Sequence, residues 1–304
     1  MRNLDKYRGV IPAFYACYDD KGEISSERVR ALTEYFVDKK VRGVYVNGSS
    51  GECIYQSVED RKVVLENVMK AKGNLTVINH IACNNTKDGM ELAAHAESLG
   101  VDAIASIPPI YFKLPEHAVA QYWNDYSSAA PNTDFIIYNI PQLAGVSLSR
   151  GLYAKMRENK NVIGVKNSSM PTYDIQGFVR DGGEDYIVFN GPDEQFVSGR
   201  AAGAKAGIGG TYGVMPELFI AMDESINSGD IKRAGEIQYY VNDIIEKLTS
   251  GHGNMYAMIK EVLRINEGLD IGSVRKPLVA LNSDDKEIAK AAAKMIVDAK
   301  KKFL

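Results

Sequence analysis

Short apolar segments recur at fairly even intervals through the first two thirds of the chain, and segments with helical periodicity separate them. Each is four to seven residues long and rich in Val, Ile, Phe or Tyr; the eight are Gly9–Ala13, Gly43–Val46, Leu75–Ile81, Asp102–Ile107, Asp134–Tyr138, Val162–Val165, Tyr186–Phe189 and Ala204–Ile208. Most are apolar at consecutive positions, which is typical of parallel strands covered on both faces. Eight strands alternating with helices predict an α/β fold, a (β/α)8 TIM barrel.

The helical segments supply the other half of this pattern. Those between the strands are Ser25–Val37, Val58–Ala71, Thr86–Leu99, Ala118–Ala129, Ser149–Arg157 and Asp174–Arg180. After the last strand the pattern changes to four amphipathic helices, Pro216–Asn227, Ile231–Leu248, Met255–Ile265 and Asp284–Lys301. We therefore expect a barrel at residues 1–215 and a C-terminal helical appendage at residues 216–304, packed on the barrel as one structural unit. A doubly wound sheet is less consistent with the sequence, because no glycine-rich phosphate loop follows the first strand.

Composition restricts the class of partner. The 304 residues include 36 Lys and Arg against 39 Asp and Glu, a net charge of −3, and this lack of basic excess argues against a nucleic acid as partner. There is no run of 18 apolar residues and no secretory signal pattern, so we expect no membrane partner. Cys17, Cys53 and Cys83 are too few and too scattered for a disulfide framework or a zinc site. We expect reduced thiols, no metal and a cytoplasmic location.

The sixth predicted strand delivers a lysine to the end of the barrel where sites of this fold lie. Lys166 directly follows the apolar run Val162–Val165. Partial desolvation would lower the pKa of its amine, and a neutral amine can attack a carbonyl to form a Schiff base. The alternative is a surface lysine just past the end of a strand.

The fifth predicted strand ends in Tyr138, which would lie beside Lys166. A phenol next to a cation can pass a proton to or from a reacting hydroxyl. The alternative is a core tyrosine with a satisfied hydroxyl. Its predicted position beside Lys166 favours the functional interpretation.

Three further strand ends carry candidate binding groups. Ser49 and Ser50 lie between glycines after the second strand, where backbone N–H groups and hydroxyls suit a carboxylate, although a plain tight turn has the same composition. Asp193 and Glu194 follow the seventh strand and could accept hydrogen bonds from sugar hydroxyls; the alternatives are a solvated loop or a metal pair, for which the spacing shows no further ligand. Gly210 follows the eighth strand and leaves room for a ligand or for close backbone packing. The four histidines show no metal-ligand spacing.

Together these segments resemble one known family. They are Gly48-Ser49-Ser50-Gly51-Glu52, Tyr138-Asn139-Ile140-Pro141, Gly164-Val165-Lys166 and Gly207-Ile208-Gly209, with Ile259-Lys260 and Arg275-Lys276-Pro277-Leu278 in the helical tail. The family is that of the class I pyruvate-dependent aldolases and lyases, which includes dihydrodipicolinate synthase and N-acetylneuraminate lyase. The resemblance covers essentially the whole chain. It implies a TIM barrel, Schiff-base chemistry without a cofactor, and a homotetramer.

Within that family the sequence is similar to the sialic-acid lyases. The synthase branch carries an arginine two residues after the proline of the tyrosine motif, whereas this chain has Leu143 there. The implied reaction is the reversible cleavage of sialic acid to N-acetylmannosamine and pyruvate. The alternatives are another 2-keto-3-deoxy sugar-acid aldolase, an enzyme like dihydrodipicolinate synthase, and a catalytically silent ligand-binding paralogue.

The resemblance also implies a role for individual residues. Lys166 forms the Schiff base and Tyr138 moves the proton. The implied substrate-binding residues are Ser49 and Ser50 for the carboxylate, Ser168 for a hydroxyl, Gly191, Asp193 and Glu194 for the glycerol-like tail, and Gly210. Pro192 stands where the lyases often have an aromatic residue, and Gly210 where many have a serine, so the tail loses at least one contact. Tyr111 resembles the aromatic residue that reaches a neighbouring subunit's site.

Overall fold

Eight parallel strands form one closed sheet in the computed structural model, which describes residues 3–304. The strands are β1 (Gly9–Pro12), β2 (Gly43–Val46), β3 (Thr76–His80), β4 (Ala103–Ser106), β5 (Asp134–Asn139), β6 (Val162–Asn167), β7 (Ile187–Asn190) and β8 (Ala206–Gly209). Their order is β1-β8-β7-β6-β5-β4-β3-β2. A parallel bridge between Ala13 and Tyr45 joins β1 to β2, and the Phe14 N–H donates to the Tyr45 carbonyl at 2.9 Å. These contacts close the barrel and confirm the predicted fold.

The helices surround this barrel and follow it in the chain. They are α1 (Ser26–Asp38), α2 (Val58–Ala71), α3 (Thr86–Ser98), α4 (Glu116–Ala129), α5 (Pro141–Ala144), α6 (Arg150–Met156), α7 (Thr172–Gly182), α8 (Phe196–Ala201), α9 (Pro216–Asn227), α10 (Ile231–Thr249), α11 (Met255–Glu267) and α12 (Ser283–Phe303). Polar caps fix several starts: Ser25 accepts from the Arg28 N–H, and Ser57 and Asp60 form a capping box. The short helices α5 and α8 are absent from the prediction because four and six residues are too few to show helical periodicity.

Four strands end later than the apolar pattern predicts: β7 continues through Asn190 and β8 through Gly209, and β5 and β6 also gain polar residues at their ends. The predicted run Val162–Val165 continues in β6 through Lys166 and Asn167, and β5 continues through Asn139. The Asn139 side chain donates to the Asn167 side chain at 2.7 Å, and both asparagines are buried. Polar side chains that satisfy one another extend β5 and β6, and a pattern of apolar residues cannot reveal that.

Alternate residues along the strands divide the core into two parts. One set fills the barrel interior, including Ile11, Ile78, Ile136, Phe189 and Ile208. The other set faces the helices and merges with their apolar faces. Because apolar side chains fill the interior, the open space for a ligand lies at the ends of the strands.

The C-terminal helices pack on the barrel and on one another. Helix α9 contacts β1 and α8, α10 contacts α9 and α12, and α11 contacts α12. The boundary after residue 215 stays a prediction, and the contact of α9 with β1 favours counting α9 with the barrel. Within residues 3–304, no helix has both the length and the apolarity that crossing a membrane requires.

Candidate active site

A cavity of about 250 Å3 opens at the C-terminal ends of the strands. Nine of the ten predicted site residues contribute to its wall: Ser49, Ser50, Tyr138, Lys166, Ser168, Gly191, Asp193, Glu194 and Gly210. They come from the ends of β2, β5, β6, β7 and β8 and the loops that follow. The fold therefore brings together residues that lie up to 161 positions apart in the chain, from Ser49 to Gly210.

Lys166 is inside the barrel rather than on its surface. It lies in register with Tyr138 of β5 and Phe189 of β7, both members of the interior cluster, and only 5% of the residue is exposed. Its Nζ is 3.8 Å from the ring centre of Tyr138 and 4.3 Å from that of Tyr45. Burial lowers the pKa of Lys166 to about 7, against the opposing charge of Asp193. The amine is therefore available as a neutral nucleophile near neutral pH.

Tyr138 supplies a protonated hydroxyl next to that amine. Burial raises the pKa of Tyr138 to about 12, and hydrogen bonding with the side chains of Ser168 and Ser49 partly opposes this. The phenol is therefore neutral at pH 7 and can donate its proton. The two serines connect it to opposite sides of the cavity, one on the loop after β6 and one on the loop after β2.

The loop after β2 forms a tight turn at the cavity wall. Ser49–Gly51 is a single 3-10 turn, and the Gly51 N–H donates to the Gly48 carbonyl at 3.0 Å. A Cβ at Gly48 would come within 2.6 Å of the Tyr45 ring, so only glycine fits there. The N–H groups at the start of such a turn are not used by the turn itself, and with the serine hydroxyls they suit a carboxylate.

The two acids after β7 differ in their surroundings, although the sequence predicts the same role for both. Asp193 is buried, and its Oδ2 accepts from the backbone N–H and the hydroxyl of Thr211, each at 2.6 Å. Burial raises the pKa of Asp193 to about 6, which the Thr211 hydrogen bonds counteract. Glu194 is exposed and lines the cavity. Asp193 thus joins the loops after β7 and β8, and Glu194 presents its carboxylate to the open space.

Several cavity residues were not predicted. Tyr45 lies beneath Lys166, and Tyr256 reaches the cavity from α11. His80 does not line the cavity but is buried behind Tyr138: its ring is nearly perpendicular to that of Tyr138, and its Nδ1 lies 3.0 Å from the Asn47 carbonyl oxygen. An inward-facing aromatic on a short strand and one aromatic on an amphipathic helix both have the pattern of ordinary core residues, so the sequence carried no signal for them.

Tyr111 does not belong to this cavity. It is 91% exposed, it stacks edge-to-face with Phe112, and it lines a separate groove beside α4. Its contribution to a neighbouring subunit's site therefore stays a prediction.

The described residues contain no metal-site geometry. No group of three or more His, Cys, Asp or Glu side chains within residues 3–304 could hold a metal ion. All three cysteines are free thiols. Burial raises the pKa of Cys53, which makes it a poor nucleophile at neutral pH.

Comparison with known proteins gives close matches over the full chain. The model of the dihydrodipicolinate synthetase family matches residues 6–296. An N-acetylneuraminate lyase of Mediterraneibacter gnavus is 70% identical, with 100% of this chain and 97% of the relative aligned. An N-acetylneuraminate lyase of Salmonella agona is 29% identical over 96% of this chain and 98% of its own. The structure of a catalytic lysine mutant of Ruminococcus gnavus sialic acid aldolase superposes with a TM-score of 0.99, at 69% identity and 100% coverage of both chains.

Proposed function

Because the chain belongs to the dihydrodipicolinate synthetase family, we propose that it is an aldolase that cleaves N-acetylneuraminate, a sialic acid, reversibly to N-acetylmannosamine and pyruvate. One observation carries the chemistry: the amine of Lys166 is buried at the cavity floor with a pKa of about 7. The Lys166 amine serves as the nucleophile, and the adjacent Tyr138 hydroxyl carries the proton. The reaction needs no further reagent than water.

The steps follow from the positions of Lys166 and Tyr138. The neutral amine attacks C2 of the open-chain keto acid, and Tyr138 gives its proton to the oxygen that leaves as water. The resulting iminium cation stabilises the Tyr138 phenolate, which then takes the proton of the C4 hydroxyl. The C3–C4 bond breaks, its electron pair moves toward the iminium, and N-acetylmannosamine leaves. Protonation of the enamine at C3 by Tyr138 and hydrolysis release pyruvate and the free amine.

The remaining cavity residues hold the two ends of the substrate. Ser49 and Ser50 bind the keto-acid carboxylate, and Ser168 contacts a substrate hydroxyl. The Gly191 backbone and Glu194 bind the polyol tail. This division places the reacting carbonyl against Lys166 and the polyol on the side of β7 and β8.

Leu143 supports a sialic acid rather than a substrate with a second carboxylate. It lines the cavity at the end of α5, and it offers no cation to neutralise a further negative charge. A second carboxylate beside Leu143 would lose part of its hydration without gaining a cationic partner. Condensation of pyruvate with aspartate semialdehyde by the purified protein would contradict this specificity.

A homotetramer in the cytoplasm is the assembly and location we propose. Ile54, Tyr111 and Phe112 are exposed by 60%, 91% and 73%, and large apolar side chains exposed to this extent favour contact with another subunit. Three free thiols are consistent with a reducing compartment. A mass measurement in solution that gives a monomer would reject the tetramer.

Trapping with borohydride tests the chemistry directly. Pyruvate and borohydride should attach one reduced adduct to the wild-type chain, and Lys166→Ala should give no adduct and no cleavage of sialic acid. The matched control is Lys205→Ala, since Lys205 is exposed and outside the cavity, and this variant should behave as wild type. An adduct on folded Lys166→Ala would show that another group is the nucleophile. Binding of sialic acid without adduct or cleavage by the wild type would instead indicate a silent binding protein.

A further inference from the structure

One face of helix α11 contacts the serine turn at two points. Tyr256 and Lys260 are four residues apart in α11, so their side chains lie one above the other on the same face. Lys260 contacts Glu52 at the end of the turn, and Tyr256 lies beside Ser50 within it. A helix of the C-terminal segment thus reaches the part of the cavity that receives the keto-acid carboxylate.

The contact between Glu52 and Lys260 is a fully buried ion pair. Lys260 Nζ lies 2.9 Å from Glu52 Oε1, and the exposed fractions of the two side chains are 1% and 0%. Glu52 Oε2 also accepts from the Tyr18 hydroxyl at 3.1 Å and from the Arg275 N–H at 2.9 Å. Lys260 donates in addition to the Ser273 carbonyl at 2.6 Å. None of these groups lines the cavity, so the network acts on the turn and not on a ligand.

The backbone conformation of Glu52 explains why the turn needs stabilising contacts. Its φ is 55° and its ψ is 31°, the left-handed conformation that residues other than glycine adopt only at a cost. The buried network keeps the residue there, and Ser49 and Ser50 immediately precede it. The orientation of the serine turn therefore depends on the ion pair.

The second contact lies at Gly210. A Cβ built on Gly210 would lie 3.3 Å from Ser50 Oγ and 3.8 Å from a ring carbon of Tyr256, so the serine hydroxyl and the phenol ring converge at this glycine. Burial raises the pKa of Tyr256, and a hydrogen bond with Ser50 opposes that rise. Because Tyr256 is protonated at neutral pH, its hydroxyl can also donate to Ser50 Oγ instead of accepting from it, and the Ser50 proton is then free to point at a bound carboxylate.

We propose that Tyr256 and Lys260 make α11 the positioning element of the carboxylate site: Lys260 fixes the serine turn through Glu52, and Tyr256 orients the Ser50 hydroxyl. Both are positioning residues, since they act through Glu52 and Ser50. The proposal rests on the proposed function, because it takes the keto-acid carboxylate as the ligand of the turn. It adds that a helix of the C-terminal segment, and not only the loops after the strands, sets the affinity for pyruvate.

The test separates the two substrates in the condensation direction. Tyr256→Phe keeps the ring and removes one hydroxyl, so we expect the KM for pyruvate to rise about 3- to 10-fold, the effect of one lost hydrogen bond. The double variant Glu52→Gln with Lys260→Met removes both charges and leaves none buried alone, and its KM for pyruvate should rise about 10-fold or more. In both variants the KM for N-acetylmannosamine should stay within about two-fold of wild type, because its proposed polyol contacts, Glu194 and the Gly191 backbone, lie on the loop after β7, whereas both variants act on the serine turn after β2.

A matched control and a second readout keep the outcome clear. Arg264→Met removes an exposed charge from the same helix, where Arg264 pairs with Glu261, and should leave both KM values unchanged. An unchanged KM for pyruvate in folded Tyr256→Phe overturns the role of Tyr256. An unchanged value in the folded double variant overturns that of Lys260. If the double variant does not fold, Tyr256→Phe decides alone. A wild-type protein that forms no borohydride-trapped pyruvate adduct instead rejects the proposed function.

Discussion

Two adjacent carboxylates at the end of β7 show how neighbours in sequence acquire different tasks. Asp193 holds Thr211 by two hydrogen bonds from a buried position, whereas Glu194 faces the open cavity. Replacing Glu194 by Gln should lower kcat/KM for sialic acid about 10- to 100-fold, since a charge-assisted hydrogen bond to a hydroxyl is worth about 1.5–3 kcal/mol. Adduct formation with pyruvate should be unchanged.

Asp193→Ala should have a second effect that Glu194→Gln lacks. It leaves the Thr211 N–H without its acceptor, so the free energy of unfolding should fall by about 1–3 kcal/mol. The melting temperature and the activity should fall with it. Glu184→Gln, an exposed acid outside the cavity, is the control for loss of one negative charge. Wild-type efficiency in Glu194→Gln would contradict its assignment to the polyol.

The Lys166 amine should also govern the pH dependence of the reaction. Its pKa of about 7 lies below its ordinary value of 10.5, so the nucleophilic form disappears as the pH falls below about 7. We expect kcat/KM to rise through this range. Tyr138, with a pKa of about 12, should stay protonated throughout.

The negative charge of Asp193 raises the pKa of Lys166, and this gives the pH profile an internal check. Asp193→Asn keeps an oxygen for Thr211 and removes the charge, so the midpoint of its profile should move to lower pH. A profile that is flat between about pH 5 and 8, or a midpoint that moves upward in Asp193→Asn, would contradict the assignment of Lys166 as the titrating group.

At the scale of one strand, β6 depends on a glycine two residues before the lysine. A Cβ on Gly164 would overlap the carbonyl oxygen of Ile187 on β7. Gly164→Ala should therefore lower the free energy of unfolding by about 2 kcal/mol or more and reduce kcat, because β6 would have to shift with Lys166. Denaturant unfolding measures the first effect and steady-state kinetics the second.

The control for that variant lies in a helix. At Gly235 in α10, no atom other than the helix's own nearby backbone lies within 4 Å of the position that a Cβ would take, so Gly235→Ala should raise the stability by about 0.5–1 kcal/mol through helix propensity. Equal stability of Gly164→Ala and wild type would contradict this prediction, because it would mean that β6 and β7 can move apart without lowering the free energy of unfolding.

The elements differ in how far the sequence alone predicts them. Apolar runs and caps locate all eight strands and the longer helices, because each must bury a face of its own. The polar ends of β5 and β6 cannot be predicted in this way, since the side chains of Asn139 and Asn167 form their hydrogen bond only when the two strands are adjacent. Tyr256 escapes it too, because its place beside Ser50 arises from packing between segments about 200 residues apart.

For the whole molecule, the reactive amine opposes stability. One pKa unit corresponds to about 1.4 kcal/mol, so holding Lys166 at a pKa of about 7 instead of 10.5 costs the folded state up to about 5 kcal/mol. Below pH 7 the amine is protonated in both states and the full cost applies. Between pH 7 and 10.5 only the unfolded state binds the proton, so the cost falls as the pH rises.

Lys166→Met should therefore make the protein more stable and inactive at once. An apolar side chain of similar length suits the interior beside Tyr45 and Tyr138, and the gain in melting temperature should be larger at about pH 6.5 than at about pH 9.5. Lys205→Met, at an exposed position, should change neither value. Two results would contradict this prediction: a lower melting temperature for Lys166→Met at both pH values, or a gain that is independent of pH. Either would mean that burial of this amine does not destabilise the folded state, and that the pKa assigned to the nucleophile is wrong.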